Sequence, residues 1–218
     1  MKNILDKLRE KLMNYDNYVN VSANEMEDRI AIFIDGSNLY HALHDVYKRH
    51  DINFAELTTR LCGGRRLFRT YYYNLVQEQM QNSDGFREQQ DFLDSLRNIP
   101  YVEVRLGTTK LSRGISVEKG IDIMLATDLL HFGWDNLYDV AILVSGDGDF
   151  AYALQAVKNL GKHVEVAYFE RNISKDLLDV ADRRYLLDRT FFKGIWLGKR
   201  QQSSTSRRKQ PDPANPKA

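Results

Sequence analysis

Two stretches of the chain are apolar at every position: Ile-Ala-Ile-Phe-Ile at residues 30–34 and Val-Ala-Ile-Leu-Val at residues 140–144. Short β-branched and aromatic runs without alternation predict strands covered on both faces. Elsewhere the apolar positions recur at helical spacing. The turn and helix at 36–49, the helix at 54–61 closed by Gly63 and Gly64, and the helix at 86–99 stopped by Pro100 follow this pattern, as do helices at 121–133 and 149–161. Further strands are expected at 67–76, at 101–107 with clear alternation, and at 163–169. Residues 108–120 form a polar, basic loop or hairpin, and 173–188 reads as mostly helical. Strands therefore alternate with helices from residue 30 to about 188. This order predicts an α/β fold class, a three-layer α/β/α domain around a central parallel sheet.

The ends of the chain differ from this middle. Ile4, Leu5, Leu8 and Leu12 fall on one face of a short amphipathic helix, followed by a polar linker to residue 28. That helix either packs back on the domain or makes a homodimer or other protein contact. Residues 191–218 form a C-terminal extension, whose stretch from Lys199 to Ala218 carries six basic residues against Asp212 and reads as a disordered basic tail. The expected organisation is thus 1–28, a domain at 29–190, and 191–218.

Composition narrows the classes. At 43% hydrophobic and 28% charged, the 218 residues can bury an ordinary globular core. A formal net charge of +1 gives no global attraction to nucleic acid or membrane, so any such attraction must be local. Cys62 is the single cysteine, which excludes an intrachain disulfide and a cysteine-based zinc site. The five histidines form no HExxH or HxH pattern. The N-terminus lacks the apolar region of a signal peptide, and no run is long enough to span a bilayer, so a cytoplasmic protein is expected.

The acidic residues change the picture further. The first apolar strand ends in Asp35-Gly36-Ser37-Asn38, and the second in Ser145-Gly146-Asp147-Gly148-Asp149. As the two most apolar strands they are expected to be central neighbours, delivering both acidic turns to the carboxyl edge where α/β sheets bind ligands. Asp122 adds a third contribution from the first turn of the helix after Gly120, whereas Asp128, six residues on, need not share its face. Each acid alone is also what a helix cap looks like. A DxD between glycines with a third aspartate ending the other central strand exceeds capping. Converging carboxylates need a cation, and Mg²⁺ or Mn²⁺ suits hard oxygen donors. Such ions turn a water into a nucleophile and stabilise the charge on a phosphate, which is the chemistry of phosphodiester hydrolysis.

The segments IAIFIDGSNLYHAL, EKGIDIMLATDLL and YDVAILVSGDGDFAYALQAVKNLGKHVEV together resemble the signature segments of NYN domains, in the LabA-like branch of the PIN/FLAP nuclease-like superfamily. CGGRRLFRTYYYN and LLDVADRRYLLD also fit that branch. The resemblance runs from about Arg29 to about Asp188 and departs nowhere at the acidic positions. It implies a Rossmann-like, PIN-like fold and action on RNA with Mg²⁺ or Mn²⁺ held by aspartates. Position by position, it implies metal binding by Asp35, Asp122, Asp147 and Asp149. Asn38 and Ser145 are implied as further catalytic positions, and Asp128 as a polar position near the site.

Two basic stretches are candidates for the RNA backbone. Arg65, Arg66 and Arg69 accompany Tyr71, Tyr72 and Tyr73, a pairing that can hold phosphates and stack bases. Alternate tyrosines of a strand face opposite ways, so at least one belongs to the core. Lys110, Arg113 and Lys119 lie in the loop before Asp122, where a basic loop would offset the repulsion between acids and RNA. The basic tail is a third candidate. The expected function is a metal-dependent endoribonuclease. The alternative is a non-catalytic RNA- or protein-binding regulator, working through the same fold, the N-terminal helix or the tail. A phospho-aspartyl phosphatase is disfavoured, because Asp35 is followed by Gly-Ser rather than by a second aspartate.

Overall fold

The computed structural model describes residues 27–76, 83–112 and 115–198, of which 83, 84, 108–112 and 115–119 are described by their backbone alone. The expected N-terminal helix and basic tail lie outside the described residues.

Seven strands form one sheet in the order β4-β3-β2-β1-β5-β6-β7. They are β1 (Arg29–Asp35), β2 (Arg66–Leu75), β3 (Val102–Ser112), β4 (Ile115–Lys119), β5 (Val140–Val144), β6 (His163–Tyr168) and β7 (Arg183–Leu186). Six strands run parallel, and β4 pairs antiparallel with the end of β3. Among the described residues the α-helices are α1 (Gly36–Tyr47), α2 (Phe54–Cys62), α3 (Ser83–Arg97), α4 (Ile121–Trp134), α5 (Ala151–Asn159) and α6 (Lys175–Val180).

The strand order explains the layers. From β1 the chain builds outward to β2 and β3, then returns to β5 on the other side of β1 and builds outward to β6 and β7. Because crossovers between parallel strands keep one hand, this reversal puts the two sets of helices on opposite faces. The period-2 pattern of β1 divides accordingly. Ile30, Ile32 and Ile34 pack with Leu39, Leu43, Leu57, Leu61, Leu93 and Leu96 from α1–α3. Ala31 and Phe33 pack with Leu125, Leu129, Leu154 and Leu177 from α4–α6. β5, paired residue for residue with β1 from Ile30↔Val140 to Ile34↔Val144, divides the same way. The two wholly apolar runs are therefore the central neighbours expected, buried because both faces carry helices.

One expectation needs correction. Residues 173–188 are not mostly helical: α6 ends at Val180, and β7 adds an edge strand at Arg183–Leu186. Its burial alternates residue by residue, the signature of a strand, but four residues are too few for periodicity to declare it. Of the loop or hairpin expected at 108–120, the backbone forms the hairpin, with β3 and β4 paired from Thr108↔Lys119 to Ser112↔Ile115. The packed body also continues past residue 190. Phe192 and Ile195 are fully buried, Trp196 bridges to Ile52, and the Asn53 N–H donates to the Ile195 carbonyl at 2.9 Å. Among the described residues no helix is long and apolar enough to cross a membrane.

Candidate functional site

The sheet order changes direction between β1 and β5, and such a switch point opens a crevice beyond the carboxyl ends of the strands. Asp35 ends β1 there and caps α1: its Oδ1 accepts from the Asn38 N–H at 3.0 Å. Gly36 is required at the next position, since a Cβ would meet the Tyr73 carbonyl oxygen at 2.7 Å and collide with the Tyr72 ring. From β5, the Ser145 hydroxyl donates to Asp35 Oδ2 at 3.0 Å and accepts from the Asp147 N–H at 3.1 Å. The Gly146 N–H donates to Asn38 Oδ1 at 3.1 Å. The Asp147 carboxylate in turn accepts from the Asp149 N–H at 3.0 Å, capping a single 3₁₀ turn at Gly148–Phe150. The two acidic turns are thus joined by side chains: Asn38 and Ser145 each bridge β1 to β5.

Asp35 is 8% exposed, and its carboxyl is pushed above the usual carboxylate range. Burial is the largest cause; the bonds from Asn38 and Ser145 oppose it, and the charges of Asp122 and Asp147 add to it. Asp122, exposed in the first turn of α4, and Asp147, half-buried, therefore act electrically on Asp35. Asp149 is exposed on the same turn as Asp147. The structure brings Asp35, Asn38, Ser145 and Asp147 into one bonded group and sets Asp122 within electrostatic reach. Its donor set of hard carboxylate oxygens around a destabilised buried aspartate fits a divalent cation. Among the described residues, no group of three acids, histidines or cysteines already stands around one point as a cation would require.

Asp128 has a different role. It is buried, accepts from the Tyr73 hydroxyl at 2.9 Å and pairs with Arg105 at 2.5 Å. Arg105 also bonds Glu103 and lies 5.2 Å from the ring centres of Tyr71 and Phe132. This cluster ties α4, which carries Asp122, to β2 and β3.

The structure does not bring the expected arginine–tyrosine patch together with the acids. Tyr71, Tyr72 and Tyr73 are all at most 3% exposed and belong to the two cores. Arg65 is buried in a bidentate pair with Glu165, both bonds 2.7 Å, joined by the Tyr185 hydroxyl. Arg66 pairs in register with Arg29, while Tyr73 pairs with Asp35, so Arg66 stands roughly 20 Å from the acids along the strand. Arg69 is held by Glu103 at 2.9 Å. Strand polarity puts Arg65 and Arg66 at the opposite end of the sheet from the acids, which sequence proximity to the tyrosines concealed. Lys110 and Lys119 fall in the β3–β4 hairpin, which runs on past the acidic edge into α4; Arg113 lies outside the described residues.

The sequence reading missed the loop after β6. A Cβ on Gly146 would collide with the Asn172 carbonyl oxygen, and one on Gly148 would lie 2.6 Å from Ser174 Oγ. The Ser174 N–H donates to the Gly146 carbonyl at 2.9 Å. This packing brings a loop with exposed Arg171 and Lys175, beside the acids Glu170 and Asp176, against the turn that carries Asp147. The sequence signal was the pair of glycines, which only a close-packed neighbour would require.

Comparison with known proteins agrees with this fold. The NYN domain family model matches residues 29–188. The chain is 27% identical over 168 residues to the Low amplitude and bright protein LabA of Synechococcus elongatus, covering 71% of this chain and 81% of that one. A crystal structure of a protein of unknown function from Vibrio parahaemolyticus shares the fold, with a TM-score of 0.64 and 24% identity over 76% of this chain and 96% of its own.

Proposed function

This chain belongs to the NYN domain family, LabA-like in kind and PIN-like nuclease in relationship, and on that premise we propose that it is a metal-dependent ribonuclease. The observation that carries the proposal is the buried Asp35, bonded through Ser145 and Asn38 to the turn bearing Asp147 and raised in pKa chiefly by its burial, with the charges of Asp122 and Asp147 adding to it. Keeping three aspartates in mutual repulsion at a switch point destabilises the domain unless a positive ligand offsets it.

Asp35, Asp122, Asp147 and Asp149 would hold Mg²⁺ or Mn²⁺. When bound, such an ion supplies neutralising charge for the phosphodiester and an acidified water. The protein's part is orientation. Ser145 spends its proton on Asp35 Oδ2, while the Asn38 N–H holds Oδ1, so both carboxylate oxygens are fixed in place. The Asp147 N–H fixes the Ser145 rotor. Asn38 pins the β5 turn, and the Asp128–Tyr73–Arg105 cluster sets the start of α4 against the sheet. Lys110 and Lys119 of the hairpin, Arg113 between them in the sequence, and Arg171 and Lys175 of the loop after β6 are the candidates for the RNA backbone.

The dispersed acids favour a second reading, an RNA- or protein-binding regulator without turnover. The experiment that decides is incubation of the purified full chain with a labelled RNA pool in Mn²⁺ or Mg²⁺, beside Asp35→Asn and a chelator. Metal-dependent cleavage lost in the variant is expected. RNA bound but left intact in both metals would move the assignment to the regulator.

A further inference from the structure

We propose that Tyr152 is a stacking platform for an unpaired nucleobase of the RNA strand held at the neighbouring acids. The inference rests on the ribonuclease reading above. Tyr152 is 85% exposed, more than any other large hydrophobic side chain among the described residues. It lies in the first turn of α5, three residues after Asp149. Over a 3₁₀ turn and the start of a helix, that is about 5 Å along the axis. Its neighbours Phe150 and Leu154 enter the core, while Tyr152 belongs to neither core cluster.

Ile123 repeats the pattern one helix away. It is 73% exposed, follows Asp122 directly, and sits in the first turn of α4, which packs beside α5. A lone exposed apolar residue needs no explanation. Two of the three most exposed ones adjoin the acids of the site, each at a helix start on the same sheet edge. Trp134, the third, ends α4 at the far side.

The chemistry selects the ligand. The acids repel the phosphates on either side of the scissile one, so affinity must come in part from a neutral contact. A tyrosine ring supplies it with a π-face that every base can cover and little entropy to lose. A paired base is already stacked on both faces, so the platform serves only an unpaired one. Two side chains are too little apolar area for a stable protein interface, which disfavours a protein as the occupant.

The test is binding of a fluorescent single-stranded RNA of about eight nucleotides to the full chain with metal chelated, followed by steady-state cleavage in Mn²⁺. Tyr152→Ala is expected to weaken binding about 5- to 100-fold, with Tyr152→Phe within about 2-fold of wild type. In cleavage, KM should rise with kcat nearly unchanged, the mark of lost uniform binding. Because the side chain is exposed, the truncation spares the core. Equal affinity of wild type and Tyr152→Ala, with cleavage intact, overturns this inference alone and leaves the ring to another contact. Binding that needs Tyr152 but no cleavage in either metal overturns the catalytic reading and leaves the base site standing. Wild-type protein that neither binds nor cuts the strand overturns both.

Discussion

Replacing Glu165 by alanine would leave the Arg65 guanidinium buried without its counter-charge. The two side chains are 5% and 6% exposed and share two bonds of 2.7 Å, with the Tyr185 hydroxyl accepting from Arg65 and donating to Glu165. Arg65 also donates to the Cys62 and Leu61 carbonyls at the end of α2. Burial works against the charged guanidinium, but the bonds and charge of Glu165 outweigh it and hold Arg65 protonated. Breaking such a pair from one side costs about 3–5 kcal/mol, whereas an exposed pair contributes about 0–1 kcal/mol. For a domain of this size each kcal/mol moves Tm by about 2–4 °C, so Glu165→Ala should lower Tm by roughly 6–20 °C. The triple variant Arg65→Met, Glu165→Leu, Tyr185→Phe removes all three polar partners together and should recover most of that loss. Calorimetric melting of wild type, single and triple variants reads both effects. A Tm unchanged in Glu165→Ala would refute the burial argument. A triple variant that melts normally but fails to hold RNA would return Arg65 to the substrate surface, from which its position excludes it.

Two further outcomes follow from the site and its supports. Asp35 has a folded-state pKa above its unfolded value, so its ionisation weighs against folding once pH rises above the ordinary aspartate range, and that cost disappears as pH falls through the folded pKa. In metal-free buffer Asp35→Asn should therefore melt above wild type at pH 7, with the advantage shrinking toward pH 4; a lower Tm at pH 7 would contradict the electrostatic reading. Gly146→Ala forces the Asn172 backbone away from the β5 turn and should destabilise by about 1–3 kcal/mol in denaturant titration, while Gly148→Ala meets only the rotatable Ser174 side chain and should cost less.

Much of this molecule could be read from its residue order, for identifiable reasons. The runs at 30–34 and 140–144 have no polar face, so they could only be central, and glycine and proline marked the ends of α2 and α3. Asp35 and Asp147 followed from strand polarity: whatever ends a parallel strand lies at the carboxyl edge. The same rule, applied to Arg65 and Arg66, would have put them at the opposite edge, because Arg65 precedes β2 and Arg66 begins it. Pairings between distant segments were not legible. Nothing in the local sequence joins Arg65 to Glu165, Asp128 to Arg105, or Asn172 to Gly146, since each depends on which strands become neighbours. β7 was hidden by brevity, and the burial of Phe192 and Ile195 by the absence of helical or strand periodicity in the run FFKGIWL.

The central claim is that the acids of two strand-ending turns and of α4 share a divalent cation. Isothermal titration of the full-length protein with Mn²⁺ tests it most directly. Binding is predicted for wild type, lost in Asp147→Asn and in Asp35→Asn, and retained in Arg66→Gln, whose side chain lies at the far edge of the sheet. Equal Mn²⁺ binding by wild type and both aspartate variants would contradict the account.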